Sequence, residues 1–332
     1  AAEAILSRPL LLASFEETPP RLSAESIDGC SAEERVQVLS LFAAWVCVSG
    51  EAMMLEDVRL TMAEVTELTG TLQTCGAQLV DWDMTRCPAD DATMRTLLQS
   101  LALQPLSRLN LGYNGLGPLG AAALVGFAPS WTDSLEQLSL EMNGLGDGGC
   151  KEVATALERG LLPRLRSLEL GWNELSAACA PALALLLAGE AGSTVKDGRR
   201  KARQLEKLGL AGNRLGCDGA SRLTEAALRW PSEVLTLDLS MNHVDLKPLR
   251  AIADWVETCD EGLEVAVSIN LEWNMLDDAQ AMLRLAQAIG SKRLSLSDAP
   301  GAGQPLVRLA NNEFADVNAS KIMSSSAGLV AC

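Results

Sequence analysis

Histidine is almost absent from this chain, which has one, His243, in 332 residues, and tyrosine is as scarce, with a single copy beside four phenylalanines. A lone histidine removes the raw material for a Ser-His or Cys-His catalytic pair and for a zinc site built on imidazole. It follows Asn242 and reads as a solvated turn residue. Cysteine occurs nine times, at positions 30, 47, 75, 87, 150, 179, 217, 259 and 332, but never as C-x-x-C, and the number is odd. This pattern argues against zinc and against a disulfide framework; the expectation is no metal, no cofactor, and reduced thiols in an intracellular, cytoplasmic setting. Positive charge is short too: 27 Lys and Arg against 43 Asp and Glu leave a net charge of −16. Such a chain repels nucleic-acid phosphate and anionic lipid and favours a protein partner that is basic or neutral at the contact. The longest apolar run, residues 177–189, spans 13 residues with Pro181 inside it, whereas a membrane helix needs about 20. No membrane insertion is expected. The chain begins at Ala1 without methionine, so organelle import stays open.

What is present is a repeat. L-x-x-L-x-L-x-x-N-x-L is spelled out by Leu106, Leu109, Leu111, Asn114 and Leu116. Further copies place the asparagine at Asn143, Asn173, Asn213, Asn242, Asn274 and Asn312, preceded by pairs such as Leu138 and Leu140, Leu208 and Leu210, and Ile269 and Leu271. Two weaker copies lie upstream, one at Leu79, Trp82, Met84 and Cys87, the other at Leu55, Val58, Leu60 and Ala63. Most anchors are 27 to 32 residues apart, with longer steps of 40 and 38 before Asn213 and Asn312, so each unit has room for a full helix and two carry insertions. After the anchors come helical patterns such as GCKEVATALERG from Gly149 and LKPLRAIADWVET from Leu246, with apolar residues three and four apart. Each repeat is one short strand and one helix. Strands lie about 4.8 Å apart and helices about 10 Å, so the stack is expected to bend with strands inside. The asparagine amide is suited to satisfy backbone groups where the chain leaves the strand.

On this motif the sequence resembles the ribonuclease-inhibitor-like leucine-rich-repeat family over roughly residues 55 to 320. The resemblance implies an α/β solenoid of horseshoe form, with about nine strand-helix repeats, parallel strands on the concave face and helices on the convex face. It also implies recognition of a protein on the concave face. The expected organisation is an irregular lead-in at 1–30, a helical cap at 31–54, the repeat domain at 55–320 with an insertion at 191–203, and a tail at 321–332. Ser31-Ala32-Glu33-Glu34 reads as a capping box opening the cap helix.

Gly115-Leu-Gly117-Pro-Leu-Gly120 matches the dinucleotide-binding fingerprint G-x-G-x-x-G, but the same skeleton returns at Gly144-Leu-Gly146 and in the turn after Asn213. These glycines belong to the repeat's own turn.

Alternation along a strand puts the residue between the two core leucines on the concave side. That column reads Arg59, Asp83, Asn110, Ser139, Glu169, Gly209, Asp238, Asn270 and Arg308, with Glu141 and Glu272 close by. The column just before the anchor reads Met62, Arg86, Tyr113, Met142, Trp172, Gly212, Met241, Trp273 and Asn311. Tyr113, Met142, Trp172, Met241 and Trp273, with Glu141, Glu169, Asp238 and Glu272, are the candidate partner-binding residues; the other reading is that the large side chains shield the ladder. Gly209, Ala211 and Gly212 suggest a shallow notch between Trp172 and Met241. The insertion carries Arg199, Arg200, Lys201 and Arg203, either a solvated loop or a second contact for an acidic segment.

Three functions remain open at this stage. The first is a non-enzymatic scaffold or receptor module that binds a partner on an acidic, Trp/Met/Tyr-lined face. The second is a GTPase-activating regulator resembling the Ran GTPase-activating protein, although no Arg or Asn here aligns with that family's working residues. The third is a structural subunit of a large assembly.

Overall fold

The computed structural model describes residues 21–49, 51–188, 205–229, 234–276, 279–296, 304–312 and 329–331. The chain forms two compact units, Ala1–Gly144 with Leu161–Leu165, and Leu145–Gly160 with Arg166–Cys332.

The first unit runs β1 (Arg21–Ser23), a 3-10 turn (Glu25–Ile27), α1 (Ala32–Ser49), β2 (Ala52–Glu56), α2 (Met62–Thr74), β3 (Asp81–Thr85), α3 (Asp91–Leu101), β4 (Arg108–Asn110), α4 (Gly117–Phe127), a 3-10 turn (Ala128–Trp131) and β5 (Gln137–Ser139). Its strands pair in parallel, each with its neighbour in the chain. The second unit contains α5 (Gly146–Glu158), β6 (Ser167–Glu169), α6 (Ala180–Leu187), β7 (Lys207–Gly209), α7 (Gly216–Ala227), β8 (Leu235–Asp238), α8 (Lys247–Thr258), β9 (Glu264–Val265), β10 (Val267–Asn270), α9 (Ala279–Lys292), β11 (Ser295–Leu296), β12 (Val307–Arg308) and β13 (Val330–Ala331). Here β6, β7, β8, β10, β12 and β13 form a parallel sheet in that order, and β9 pairs with β11 apart from it. The fold class is α/β, a leucine-rich-repeat solenoid in which strands form one layer and helices the other.

The core of each unit lies between those layers. In the first, Leu22, Leu55, Met84, Leu109 and Leu138 meet helix residues such as Phe42, Leu68 and Leu97, all buried. In the second, Leu168, Leu208, Leu237 and Ile269 are covered by residues such as Leu183, Leu223 and Ile252. Burying one such side chain is worth about 1.5–3 kcal/mol, and the repeat supplies several per unit. Helix starts are set locally. Ser31 and Glu34 exchange hydrogen bonds at α1, Glu34 N to Ser31 Oγ at 3.3 Å and Ser31 N to Glu34 Oε2 at 2.8 Å. Thr61 and Glu64 make the same reciprocal box at α2, and Asp90 caps α3 by accepting from Thr93 N at 2.8 Å.

The anchors tie consecutive repeats together. Asn213 Oδ1 accepts from the backbone N–H of Asn173 (2.9 Å) and Leu175 (3.0 Å), while its Nδ2 donates to the carbonyls of Leu170 (3.0 Å) and Leu210 (2.8 Å). Asn143 does the same toward Asn114, Leu116 and Leu111, and Asn274 toward Asn242, Val244 and Leu239.

Three expectations need correction. The first repeat is out of register by five residues: Met53 and Leu55 pair with Trp82 and Met84, so Val58 takes the anchor position opposite Cys87. The reason is the box at Thr61 and Glu64, which starts α2 at Met62 and leaves Leu60 in a loop. Met54 and Asp57, rather than Arg59 and Met62, therefore stand in the two surface columns. Secondly, the segment expected to be an irregular lead-in holds β1 and a 3-10 turn, because Leu22 is an apolar residue that pairs with Leu55 and is fully buried. Thirdly, the expected tail contains β13, paired with β12 and anchored by buried Leu329 and Val330. The basic insertion 191–203, with Arg199, Arg200, Lys201 and Arg203, lies outside the described residues.

Candidate protein-binding surface

The column before the anchor has one backbone property in every repeat. Asp57, Arg86, Tyr113, Met142, Trp172, Gly212, Met241, Trp273 and Asn311 all have φ between 51° and 66°. The cause is a backbone ladder: Tyr113 N donates to Glu141 O (2.8 Å), Trp172 N to Ala211 O (2.8 Å), Gly212 N to Ser240 O (3.0 Å), Met241 N to Glu272 O (3.1 Å) and Trp273 N to Ala310 O (3.1 Å). Each bond reaches the residue that precedes the next repeat's column position, so the turn is imposed by main-chain hydrogen bonding. Glycine suits such a φ, whereas a side chain there costs about 1–2 kcal/mol. Only one position in the column is glycine; most of the others are large.

In the second unit, Trp172 (43% exposed), Met241 (38%) and Trp273 (55%) occupy that column, and Met275, one residue past its anchor, is 51% exposed. Met275 was not singled out from the sequence, although its place beside Asn274 was a visible signal. Acidic groups stand around them. Glu169 takes the ammonium of Lys207 at 2.5 Å. Asp238 accepts from Ser240 N (2.9 Å) and Oγ (2.7 Å), and Glu272 is half-buried with its N–H on Asn270 Oδ1 (3.0 Å). The notch expected at Gly209 and Gly212 is filled: a Cβ at Gly212 would overlap the Trp172 ring, and one at Gly209 would overlap the Glu169 carboxylate. The glycines let neighbouring side chains lie flat across them.

The first unit differs. Tyr113 and Met142 are 38% and 42% exposed. Next to Tyr113 the guanidinium of Arg86 lies 5.9 Å from the ring centroid while its nitrogens reach Asp57 (2.6 Å) and Glu56 (2.5 Å). Those contacts hold the Arg86 pKa above its ordinary value, chiefly through the hydrogen bond to Asp57. Asp81 pairs with Arg108, and Asp83 accepts from Thr85 Oγ1 (2.7 Å) and Asn110 Nδ2 (3.0 Å). Glu141 is half-buried. Most acid on this face is already engaged.

Among the described residues no group of three or more His, Cys, Asp or Glu is placed to hold a metal ion. His243 is exposed beside Met241, as a turn residue. None of the described helices is long and apolar enough to cross a membrane. The cysteines sort by burial: Cys87 sits at an anchor and burial pushes its thiol up to about 12, and Cys150 is driven upward by a hydrogen bond with Cys179 and by burial. Thiols held protonated in this way are poor nucleophiles.

Residues 102–125 and 134–154 match the family model described as Leucine Rich repeat. Those two stretches are leucine-rich repeats, and the fold around them is that of a leucine-rich-repeat solenoid. Ribonuclease inhibitor of Sus scrofa is 34% identical over 183 residues, which are 54% of this chain and 36% of that protein. The chain thus spans little more than a third of the length of the curated relative it matches. Among solved structures, a chain from the crystal structure of the Rad7 and Elc1 complex in yeast is similar at 14% identity with a TM-score of 0.49, over 82% of this chain and 64% of that one.

Proposed function

We propose that this protein is a non-enzymatic module that holds another protein against the solvent face of its strands. In the second unit the contact comprises Trp172, Met241, Trp273 and Met275 with Glu169, Asp238 and Glu272; in the first it comprises Tyr113 and Met142 with Glu141. One observation carries this reading: bulky apolar side chains stand, half exposed, at backbone positions where glycine would be less strained. Strain retained without a packing return is a mark of function. Tryptophan, methionine and tyrosine bury much area in interface centres, where the largest binding contributions concentrate. The net charge of −16 supports a partner that is basic or neutral at the contact. The similarity to ribonuclease inhibitor supports a protein as the ligand.

The test is a pull-down from the native source with the parent chain beside a Trp172→Ala, Trp273→Ala variant whose folding is checked by circular dichroism. A partner captured by the parent and lost by the folded variant is the expected result. Identical partners on both would overturn the strand-face reading and favour a structural subunit that binds through its helices or termini.

A further inference from the structure

Two pairs of thiols face each other across neighbouring helices, and the strand-face reading uses neither. In the first unit the pair is Cys47, in the last turn of α1, and Cys75, which caps the C-terminus of α2. Contacts between the two helices fix their register. Arg35 Nε donates to Glu64 Oε1 (2.6 Å), while Ser40 Oγ donates to Glu67 Oε1 (3.3 Å) and shares a hydrogen bond with Thr71 Oγ1 (2.9 Å). These partners are 29, 27 and 31 residues apart, and Cys47 and Cys75, 28 apart, continue the same alignment toward the C-terminal ends of the helices. Their thiols are within hydrogen-bonding reach of each other. In the second unit Cys150 of α5 and Cys179, just before α6, pair in the same way. Solvent separates the two cases: Cys75 is exposed and Cys47 half-buried, whereas Cys150 and Cys179 are fully covered.

We propose that Cys47 and Cys75 form a redox modification site, which a low-molecular-weight disulfide oxidises to a covalent clamp between α1 and α2. Cys75, being exposed, is the thiol that a reagent meets first. Its thiolate attacks one sulfur of the small disulfide, whose S–S bond breaks; a mixed disulfide forms on Cys75, and the other sulfur leaves as a thiol with the proton that Cys75 gave up. The Cys47 thiolate then attacks the Cys75 sulfur, the mixed disulfide breaks, and the second small thiol leaves with the proton of Cys47. The chain loses two electrons and two protons, and the small disulfide becomes two thiols. Cys47 resists the first attack and suits the second. Its pKa is raised to about 11, first by burial, then by the hydrogen bond with Cys75 and the charge of Cys75. The last two causes end once the Cys75 sulfur is bonded to the reagent, and the attacking thiol is by then held beside its target. The clamp acts on the scaffold. In a solenoid each repeat is held by its neighbours alone, and a bond between α1 and α2 closes a loop of 28 residues that the unfolded chain would otherwise leave open.

The experiment incubates the folded, reduced chain with oxidised glutathione, blocks the remaining thiols, maps the cysteines by peptide mass, and measures the denaturation midpoint before and after. The parent should yield a Cys47–Cys75 linked peptide and a higher midpoint, and dithiothreitol should reverse both. Cys47→Ser should stop at a glutathione adduct on Cys75, Cys75→Ser should lose both the link and the rise, and Cys150 and Cys179 should be recovered unlinked throughout. Cys75 is exposed, so Cys75→Ser reports even if Cys47→Ser folds poorly. A parent chain that keeps glutathione on Cys75 without forming the link overturns the proposal. So does a link formed as readily between Cys150 and Cys179, or a Cys47–Cys75 link that leaves the midpoint where it was.

Discussion

The repeats around β2 and β3 and those around β7, β8 and β10 solve the same two problems differently. At the anchor, the later repeats use Asn213, Asn242 and Asn274, each buried with donor and acceptor both engaged. The early ones use Val58, which has no polar side chain, and Cys87, whose Sγ accepts one long bond from Val58 N (3.4 Å) and donates one to Thr85 O (3.4 Å). In the column before the anchor, the later repeats show Gly212, Met241 and Trp273, whereas the early ones show Asp57 and Arg86 paired with each other. Tight internal bonding and an apolar, open surface therefore occur together in the repeats of β7, β8 and β10, and weaker anchoring occurs with a charge-neutralised surface in those of β2 and β3. In the later repeats the amide ladder holds the turn, so apart from Trp172, whose ring covers Gly212, the surface side chains of the column are not needed to fix it.

The sharpest way to break the contrast is at Asn213. Replacing it with alanine strands two N–H donors and two carbonyls in a buried site, and should cost about 3 kcal/mol or more, read as a lower denaturation midpoint. Cys87→Ala should cost far less, about 1 kcal/mol, because only two long thiol hydrogen bonds are lost. Equal losses at the two sites would show that the amide ladder does not distinguish the regions. Cys87→Asn tests the converse and should raise the midpoint by restoring the ladder.

A second pair of substitutions probes the column. Trp273→Gly relieves a left-handed tryptophan that is already 55% exposed and should stabilise by about 1 kcal/mol while weakening partner capture. Trp172→Gly should show no such gain, because its ring covers Gly212 and that contact is lost with it. If both variants are stabilised alike, the ring over Gly212 contributes nothing.

The smallest expected effect is on pH. The Cys87 thiol rises from 9.0 to about 12 in the folded chain, mainly through burial. Its protonated form is thus favoured by folding; this stabilisation is complete below pH 9 and is lost as pH rises toward 12. Denaturation midpoints should fall across that window, and less steeply in Cys87→Ala. An identical slope in the variant would assign the alkaline sensitivity to other groups.

The repeat, its anchors and its helices were legible because each leaves a side-chain signature at fixed spacing. The seven asparagines could be placed without coordinates because a planar amide, with two donors and an acceptor at fixed positions, suits that turn better than other side chains. The first repeat misled for the same reason: Leu55, Val58 and Leu60 imitate the leucine pattern, and no asparagine corrects them. Thr61-x-x-Glu64 was the available correction, since a helix starting at Met62 is incompatible with a strand through Leu60. β1 and β13 are three and two residues long and carry no anchor, too little for periodicity to detect. At the site, the surface columns followed from alternation beyond the first repeat, but the left-handed backbone did not, because it arises from bonds to the following repeat. The filled notch at Gly209 and Gly212 was equally hidden, since glycine reports missing volume and says nothing of which neighbour takes it.

Because the ladder between main chains fixes the turn before each anchor, the backbone there keeps its shape whichever side chain it carries. A chain built this way can exchange one surface letter per repeat and keep its scaffold, so a change of ligand lies one codon at a time away. Divergence in such a protein should concentrate in that single column, with the neighbouring asparagine held still.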